Sequence, residues 1–248
     1  MNKNVCSLLI SFLLITCSCQ NNIDDSDSIL NQKVEIENVS FIYKGVLYQS
    51  EVQFINDQDG IFLNKEVQTI ADNLKTNPNL STFIHEDGTI EYFDKPEDVN
   101  SYLKSFLPKT KALAPHTQEG KIILFSDNKC KGHQLPCYIS STQTIFGLPT
   151  MPDIRIPAAD PFNWDKAVSS IDMTCTYRET GIDSGHGDKC VASFFTGINF
   201  TGYGMWFAVD PSYPRSYIHY FGSYKLYPGS KEDWNDKTRS FKFTFSYN

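Results

Sequence analysis

The chain has 248 residues, 22 basic and 29 acidic side chains, a formal net charge of −7 and 14% aromatic residues. The excess negative charge lies in the first half: residues 20–116 hold 8 basic and 16 acidic groups, while residues 117–248 hold 13 of each. No basic face is left to oppose phosphates, which excludes a nucleic-acid binder, and no segment beyond the first twenty residues is apolar enough to span a bilayer.

Residues 1–19 read as a leader: Lys3, then an apolar run from Val5 to Ile15, then "ITCSCQ". The run is too short to cross a membrane and fits a secretory signal. Leu14-Ile15-Thr16-Cys17 loosely resembles a bacterial lipobox, with Ser18-Cys19 as a rival, so lipidation is expected at Cys17 or Cys19. One acyl chain holds a membrane only marginally, so the anchored form is expected to carry several. This reading places the protein in the bacterial cell envelope, anchored to the outer membrane and facing the periplasm or the outside. Residues 20–33 then form a short acidic tether.

Residues 34–107 are predicted to form a small α+β domain of order ββαββα. "VSFIYKGVLYQSEVQFIND" is two strands around a Lys44-Gly45 turn. "NKEVQTIADNLKT" spaces Val67, Ile70, Ala71 and Leu74 as a helix, with Asn64 as its cap. "STFIHEDGTIEYF" is a hairpin around Asp87-Gly88, and "KPEDVNSYLKSFL" is a second helix opened by proline. Residues 108–120, "PKTKALAPHTQEG", read as a linker.

Residues 121–248 hold 23 of the 34 aromatics, in short apolar runs broken by Gly, Pro and Asn, which predicts an all-β unit. Four cysteines remain outside the leader: Cys130, Cys137, Cys175 and Cys190. An even count in an exported chain predicts two disulfides with three connectivities. The local pairs Cys130–Cys137 and Cys175–Cys190 are favoured, because each closes a short loop between neighbouring strands. No C-x-x-C spacing points to a metal.

A duplication runs through this half. "LFSDNKCKGHQL" from Leu124 aligns with "FFTGINFTGYGM" from Phe194, and "NWDKAVSSIDM" from Asn163 aligns with "DWNDKTRSFKF" from Asp233, all at an offset of seventy. Phe125 thus matches Phe195, Cys130 matches Phe200, and Gly132 matches Gly202. Trp164 matches Trp234, and Ser170 matches Ser240. The aromatic is expected to lie over a tightly turned hairpin, with glycine providing the open backbone beneath it. Phe200, or Cys130 in its place, is expected to fill the hairpin's interior. The spacing lacks the G-x-x-x-x-G-K-[ST] phosphate loop.

These motifs resemble the βγ-crystallin family, whose signature is an aromatic, four residues, an aromatic, one residue and glycine. Its second element, two Asn/Asp, two variable residues and Ser/Thr-Ser, appears here as "DKAVSS" and "NDKTRS". Cys130 departs from the first signature. The resemblance covers residues 120 to 248 and implies a double Greek-key β-sandwich, with keys at about 121–176 and 190–248. "TMPDIRIPAADPFN" and "DPSYPRSYIHYFGSYKLYPG" are read as including extra loops. The resemblance also implies Ca²⁺ between the keys, with Asp165, Ser169, Asn235 and Asp236 as the candidate ligands. Lys166 and Arg239 occupy positions where that pattern has oxygen ligands, and a fixed cation opposes Ca²⁺. Calcium binding is therefore expected to be weak at most, and the tryptophans and serines are read as locks on each closing strand.

No catalytic signature emerges. "GIDSGHGDKC" overlaps fragments of two protease motifs in one loop, where they cannot form a triad. His85, His116, His133, His186 and His219 show no ligand spacing, and no nucleophile elbow appears. The expected function is non-catalytic: a lipid-anchored structural or binding protein with no obligatory cofactor. The alternatives are a protease inhibitor acting through the loop between Cys175 and Cys190, or a glycan binder using Tyr213, Tyr217, Tyr220, Tyr224 and Tyr227.

Overall fold

The computed structural model describes residues 33–56, 58–105, 116–154, 162–179, 189–211 and 213–246. The expected leader, most of the expected tether, residues 108–115 of the expected linker and residues 180–188 lie outside the described residues. No helix among those described is long and apolar enough to cross a membrane.

The N-terminal half follows the expected order with one short strand added. Strands β1 (Val34–Tyr43) and β2 (Val46–Ile55) pair antiparallel. Lys44 and Gly45 between them have φ of +52° and +74°, the left-handed pair that a two-residue hairpin turn requires. A two-residue strand, β3 (Ile61–Phe62), pairs with β2 ahead of helix α1 (Lys65–Lys75). Asn64 caps α1, its Oδ1 accepting from the N–H of Glu66 at 2.9 Å and of Val67 at 3.3 Å. Strands β4 (Ser81–Ile84) and β5 (Ile90–Phe93) form the next hairpin, and helix α2 (Pro96–Ser105) follows. Alternation along β5 sends Tyr92 to the cluster that α1 seals with Val67, Ala71 and Leu74. Its neighbour Phe93 goes to the cluster under α2, built on Val99 and Leu103.

The aromatic-rich half adds β6 (His116–Asp127), β7 (Lys131–Ser140), β8 (Ile145–Leu148) and β9 (Ser170–Glu179), then β10 (Cys190–Phe195), β11 (Gly204–Val209), β12 (Arg215–Ile218) and β13 (Ser240–Phe245). They form two sheets, one of order β12-β9-β6-β7 and the other part of a nine-stranded sheet of order β3-β2-β1-β5-β4-β11-β10-β13-β8. The protein is thus mostly β, with its core held between two sheets. Ile122, Leu124, Ile171 and Met173 meet Phe194, Phe207, Phe241 and Phe243 there, with both Trp164 and Trp234 fully buried.

Three features differ from the sequence reading. First, β6 begins at His116, inside the stretch read as linker, and its first residues pair with β9. Second, the two halves share one sheet, because β4 runs parallel to β11 from the Ser81–Gly204 pair to the Ile84–Phe207 pair. Residues 33–248 accordingly form one compact unit. Third, the stretch after Asp210 that is read as including extra loops also holds a strand, β12. Asp59 reinforces the seam: its carboxylate accepts from Tyr227 Oη at 2.7 Å and from the Lys231 N–H at 3.0 Å, and pairs with Lys75 Nζ at 2.8 Å. No short-range pattern marks a pairing between residues so far apart in the chain.

Of the two expected disulfides, Cys175–Cys190 is present with a Cα–Cα separation of 5.6 Å, and it joins β9 of one sheet to β10 of the other. Gly120 makes room for it, since a Cβ there would lie 2.8 Å from Cys190 Sγ. The Cys130–Cys137 pair does not form; both thiols are free. Cys130 sits in the turn before β7, while Cys137 lies well along that extended strand. At ~3.3 Å of rise per residue the two are far beyond disulfide reach. Burial pushes the Cys137 thiol up to about 12.

Candidate functional site: the joint between the two repeats

The seventy-residue offset seen in the motifs extends to the strands. β8 and β12 span Ile145–Leu148 and Arg215–Ile218, and the residues opening β9 and β13 are Ser170 and Ser240. The single-turn helices Met151–Asp153 and Phe221–Ser223 obey the same offset. Each set of three adjacent strands from one repeat is completed at its edge by a strand of the other. β12 closes β9-β6-β7, and β8 closes β11-β10-β13.

The two hairpin corners have the same backbone. Lys129, Cys130 and Gly132 have φ of +57°, +56° and +78°, and Asn199, Phe200 and Gly202 have +55°, +60° and +80°. Both glycines are required: a Cβ at Gly132 would strike Ser126 Oγ, and one at Gly202 would lie 2.5 Å from Thr196 Oγ1. Those hydroxyls brace the corners, Ser126 Oγ accepting from the His133 N–H at 2.9 Å and Thr196 Oγ1 from the Tyr203 N–H at 3.0 Å. The serine that opens each closing strand latches the same corner. Ser170 Oγ donates to Asp127 O at 2.5 Å and accepts from the Cys130 N–H at 3.0 Å. Ser240 Oγ donates to Gly197 O at 2.7 Å and accepts from the Phe200 N–H at 2.9 Å.

Phe125 and Phe195 occupy these equivalent places, each 5% exposed. Phe200 does not fill the hairpin's interior as expected. It is 36% exposed and lies edge-on to Phe195, with ring centroids 5.7 Å apart. Its left-handed backbone turns the side chain outward, and Cys130 at the matching position is half-buried. Neither Trp164 nor Trp234 has a hydrogen-bond partner for its buried indole N–H, so packing rather than polar contact holds the two rings.

Of the four candidate ligands, Ser169 and Asp236 meet across the repeats, and Asp165 and Asn235 do not join them as a set of four. Ser169 Oγ lies 2.8 Å from Ser126 O and 3.3 Å from Asp236 Oδ1 of the other repeat. At the other joint Arg239, the counterpart of Ser169, donates from Nε to Asp165 Oδ1 at 3.0 Å, while the counterpart of Asp236 is Lys166. Asn235 serves its neighbour, its Nδ2 donating to Asp236 Oδ2 at 2.9 Å. Within each repeat the motif lacks one oxygen ligand, at Lys166 and at Arg239. Pairing across repeats sorts the losses differently: one joint keeps both oxygen groups, and the other receives Arg239. Burial raises the Asp236 carboxyl above its ordinary range, and the charges of Asp233 and Asp127 add to this against the hydrogen bond from Ser169. The oxygen-rich joint borders an open cleft of about 650 Å³ lined by Asp127, Asp236, His133, Phe162 and Lys166. His133 and Phe162 stack in its wall with centroids 4.1 Å apart.

Among the described residues, no group of three or more His, Cys, Asp or Glu side chains is arranged to hold a metal ion. Ca²⁺ takes six to eight oxygens. The Arg239 joint does not fit it, because a guanidinium already neutralises Asp165. The Ser169–Asp236 joint has the right donor chemistry but one carboxylate in contact and Lys166 in the cleft wall. The inhibitor loop proposed between Cys175 and Cys190 lies mostly outside the described residues. The tyrosine series divides: Tyr213, Tyr217 and Tyr220 are exposed, whereas Tyr224 and Tyr227 pack against the core. No family model matches this chain, and no curated protein or solved structure is significantly similar to it.

Proposed function

We propose that the chain is a non-catalytic, lipid-anchored envelope protein whose aromatic-rich half is a βγ-crystallin-like pair of Greek keys acting as a structural or binding module. The observation that supports the crystallin-like part of this reading is the reciprocal strand exchange, β8 and β12 each completing the other repeat's sheet at one shared offset; the anchor rests on the sequence of residues 1–19. In each repeat the fourth strand also lies beside the first, β9 against β6 and β13 against β10, as in a Greek key. The serine-latched corners and the paired tryptophans support the same reading.

On this reading the joint between the keys holds at most one weak calcium, at Ser169 and Asp236, while Arg239 replaces the second with a permanent cation. Calorimetry separates the two joints. Weak heat at millimolar Ca²⁺ that disappears in Asp236→Ala supports the single site, and no heat at all removes calcium from the account. Anchoring is tested by metabolic labelling with a tagged fatty acid in cells expressing the full chain. Label lost in Cys17→Ala or in Cys19→Ala identifies the acylated residue, and label absent from the wild type refutes the anchor. A pull-down from intact cells then identifies the partner class, since a fold alone names no role.

A second reading, glycan binding, draws on Tyr213, Tyr217 and Tyr220, which are 73%, 48% and 43% exposed. Tyr217 also stacks on His219 with centroids 5.3 Å apart, presenting a flat ring pair beside Arg215. A glycan array with no signal, unchanged by Tyr217→Ala, eliminates it.

A further inference from the structure

Away from the repeats, a cleft of about 520 Å³ opens where the β4–β5 hairpin, the end of α2 and the end of β11 come together. Its size falls in the range of small-molecule sites, and seams between packed units are where such sites concentrate. The wall contains a trio of rings. Phe83 and His85 meet edge-to-face at 5.0 Å, Phe83 and Tyr102 at 5.5 Å, and His85 and Tyr102 at 6.0 Å. Leu103 and Ala208 extend this apolar side.

Behind the rings is a group that packing does not explain. Glu91 is only 7% exposed, on a β5 face otherwise devoted to the cluster under α2, and it lies 3.1 Å from His85 Nε2. Burying a carboxylate is costly, and one imidazole offsets little of that cost. The couple fixes the ring of His85 at the cleft with Nε2 turned to Glu91. At the mouth stand, among the described residues, three more carboxylates, Glu86, Asp87 and Asp210, and one ammonium, Lys189. Lys189 already lies 3.6 Å from Asp210. The Thr89 N–H donates to Asp87 at 2.9 Å, which keeps that carboxyl below its ordinary range and so ionised.

Rings, an aliphatic side and surplus negative charge around one concavity are the recognition chemistry of a cation with an apolar body. We propose that this cleft binds a small organic ammonium, its hydrocarbon part against Phe83, Tyr102 and Leu103 and its charge among Glu86, Asp87 and Asp210. The site owes nothing to the crystallin-like reading and survives if that reading fails.

The test uses the full chain, titrated with phenethylammonium and, separately, with 3-phenylpropanoate, an anion of nearly the same shape. Binding is followed by calorimetry and by the imidazole resonances of His85. The expected result is saturable phenethylammonium binding that shifts the His85 signals, weakens about tenfold in Asp87→Asn/Asp210→Asn, and weakens in high salt. The anion is expected to leave His85 unmoved. The proposal is overturned by absence of saturation at about 10 mM amine, by equal binding of the anion, or by unchanged affinity in a folded double variant. The amine, anion and salt arms need no variant, so they decide the matter even if the substitutions disturb folding.

Discussion

The two repeats share one backbone plan yet face different surroundings. β7 of the first repeat alternates buried and exposed residues, as expected of a sheet with one wet face. β10 and β11 of the second repeat are buried at every position, because α2 covers their outer side and β4 extends their sheet. The inner faces of the two repeats are thus alike, and the N-terminal half determines what becomes of the second repeat's outer face. The joints differ too: Ser169 meets Asp236 across the repeats, whereas its counterpart Arg239 pairs with Asp165, the counterpart of Asn235 rather than of Asp236.

The strongest challenge to this equivalence is truncation of the tryptophans. Trp164→Ala and Trp234→Ala remove fully buried indoles from matching places, and each is expected to cost about 3–5 kcal/mol in denaturant unfolding. A large inequality would show that the closing segments are not equivalent. Next comes the disulfide, which has no counterpart at the matching positions Gly120 and Phe245. Replacing Cys175 and Cys190 together by alanine is expected to cost about 2–4 kcal/mol, while replacing Cys130 by serine changes stability little. A comparable loss from Cys130→Ser would contradict its free state.

The serine latches allow a finer comparison. Ser170→Ala and Ser240→Ala each remove a hydroxyl that both donates and accepts at a hairpin corner, at an expected cost of about 1–3 kcal/mol apiece. Measured by equilibrium unfolding, the two losses should agree more closely with each other than with any non-equivalent serine.

The smallest effects are those of pH, and two carboxylates are expected to act with opposite signs. At Asp59, burial alone would raise the carboxyl, but Lys75, Tyr227 and the Lys231 N–H outweigh it and hold it below the ordinary range. A depressed carboxyl favours the folded state above its unfolded value, and that contribution is lost as pH falls through the folded value. Asp59→Asn should therefore destabilise at neutral pH, and the gap from wild type should close in acid. Asp236 is raised, so its ionisation disfavours folding at neutral pH and ceases to do so in acid. Asp236→Asn should be neutral or stabilising at pH 7. Unfolding curves for both variants across the acid range would reverse the assignment if the signs came out exchanged.

Sequence reading recovered much of the local structure. The Lys44-Gly45 turn, the Asn64 cap, the helical spacing of Val67, Ala71 and Leu74, and the matched glycines at 132 and 202 each depend on contacts within a few residues. The candidate joint was only half visible, since the motifs named its residues but not which would meet. The Asp59 latch and the Glu91–His85 couple left no readable mark, because each joins residues whose neighbours in sequence look like ordinary loop or strand.

By itself, the sequence determined where backbone must turn, which residues alternate inward, and that one unit occurs twice, because sterics and hydrophobic periodicity act over short stretches of chain. Tertiary structure alone decided that β4 and β11 would fuse the halves into one sheet, that Cys175 rather than Cys130 would find a partner, and that each repeat would lend the other a strand. Those outcomes depend on distances between residues remote in sequence, which become defined only once the sheets have packed.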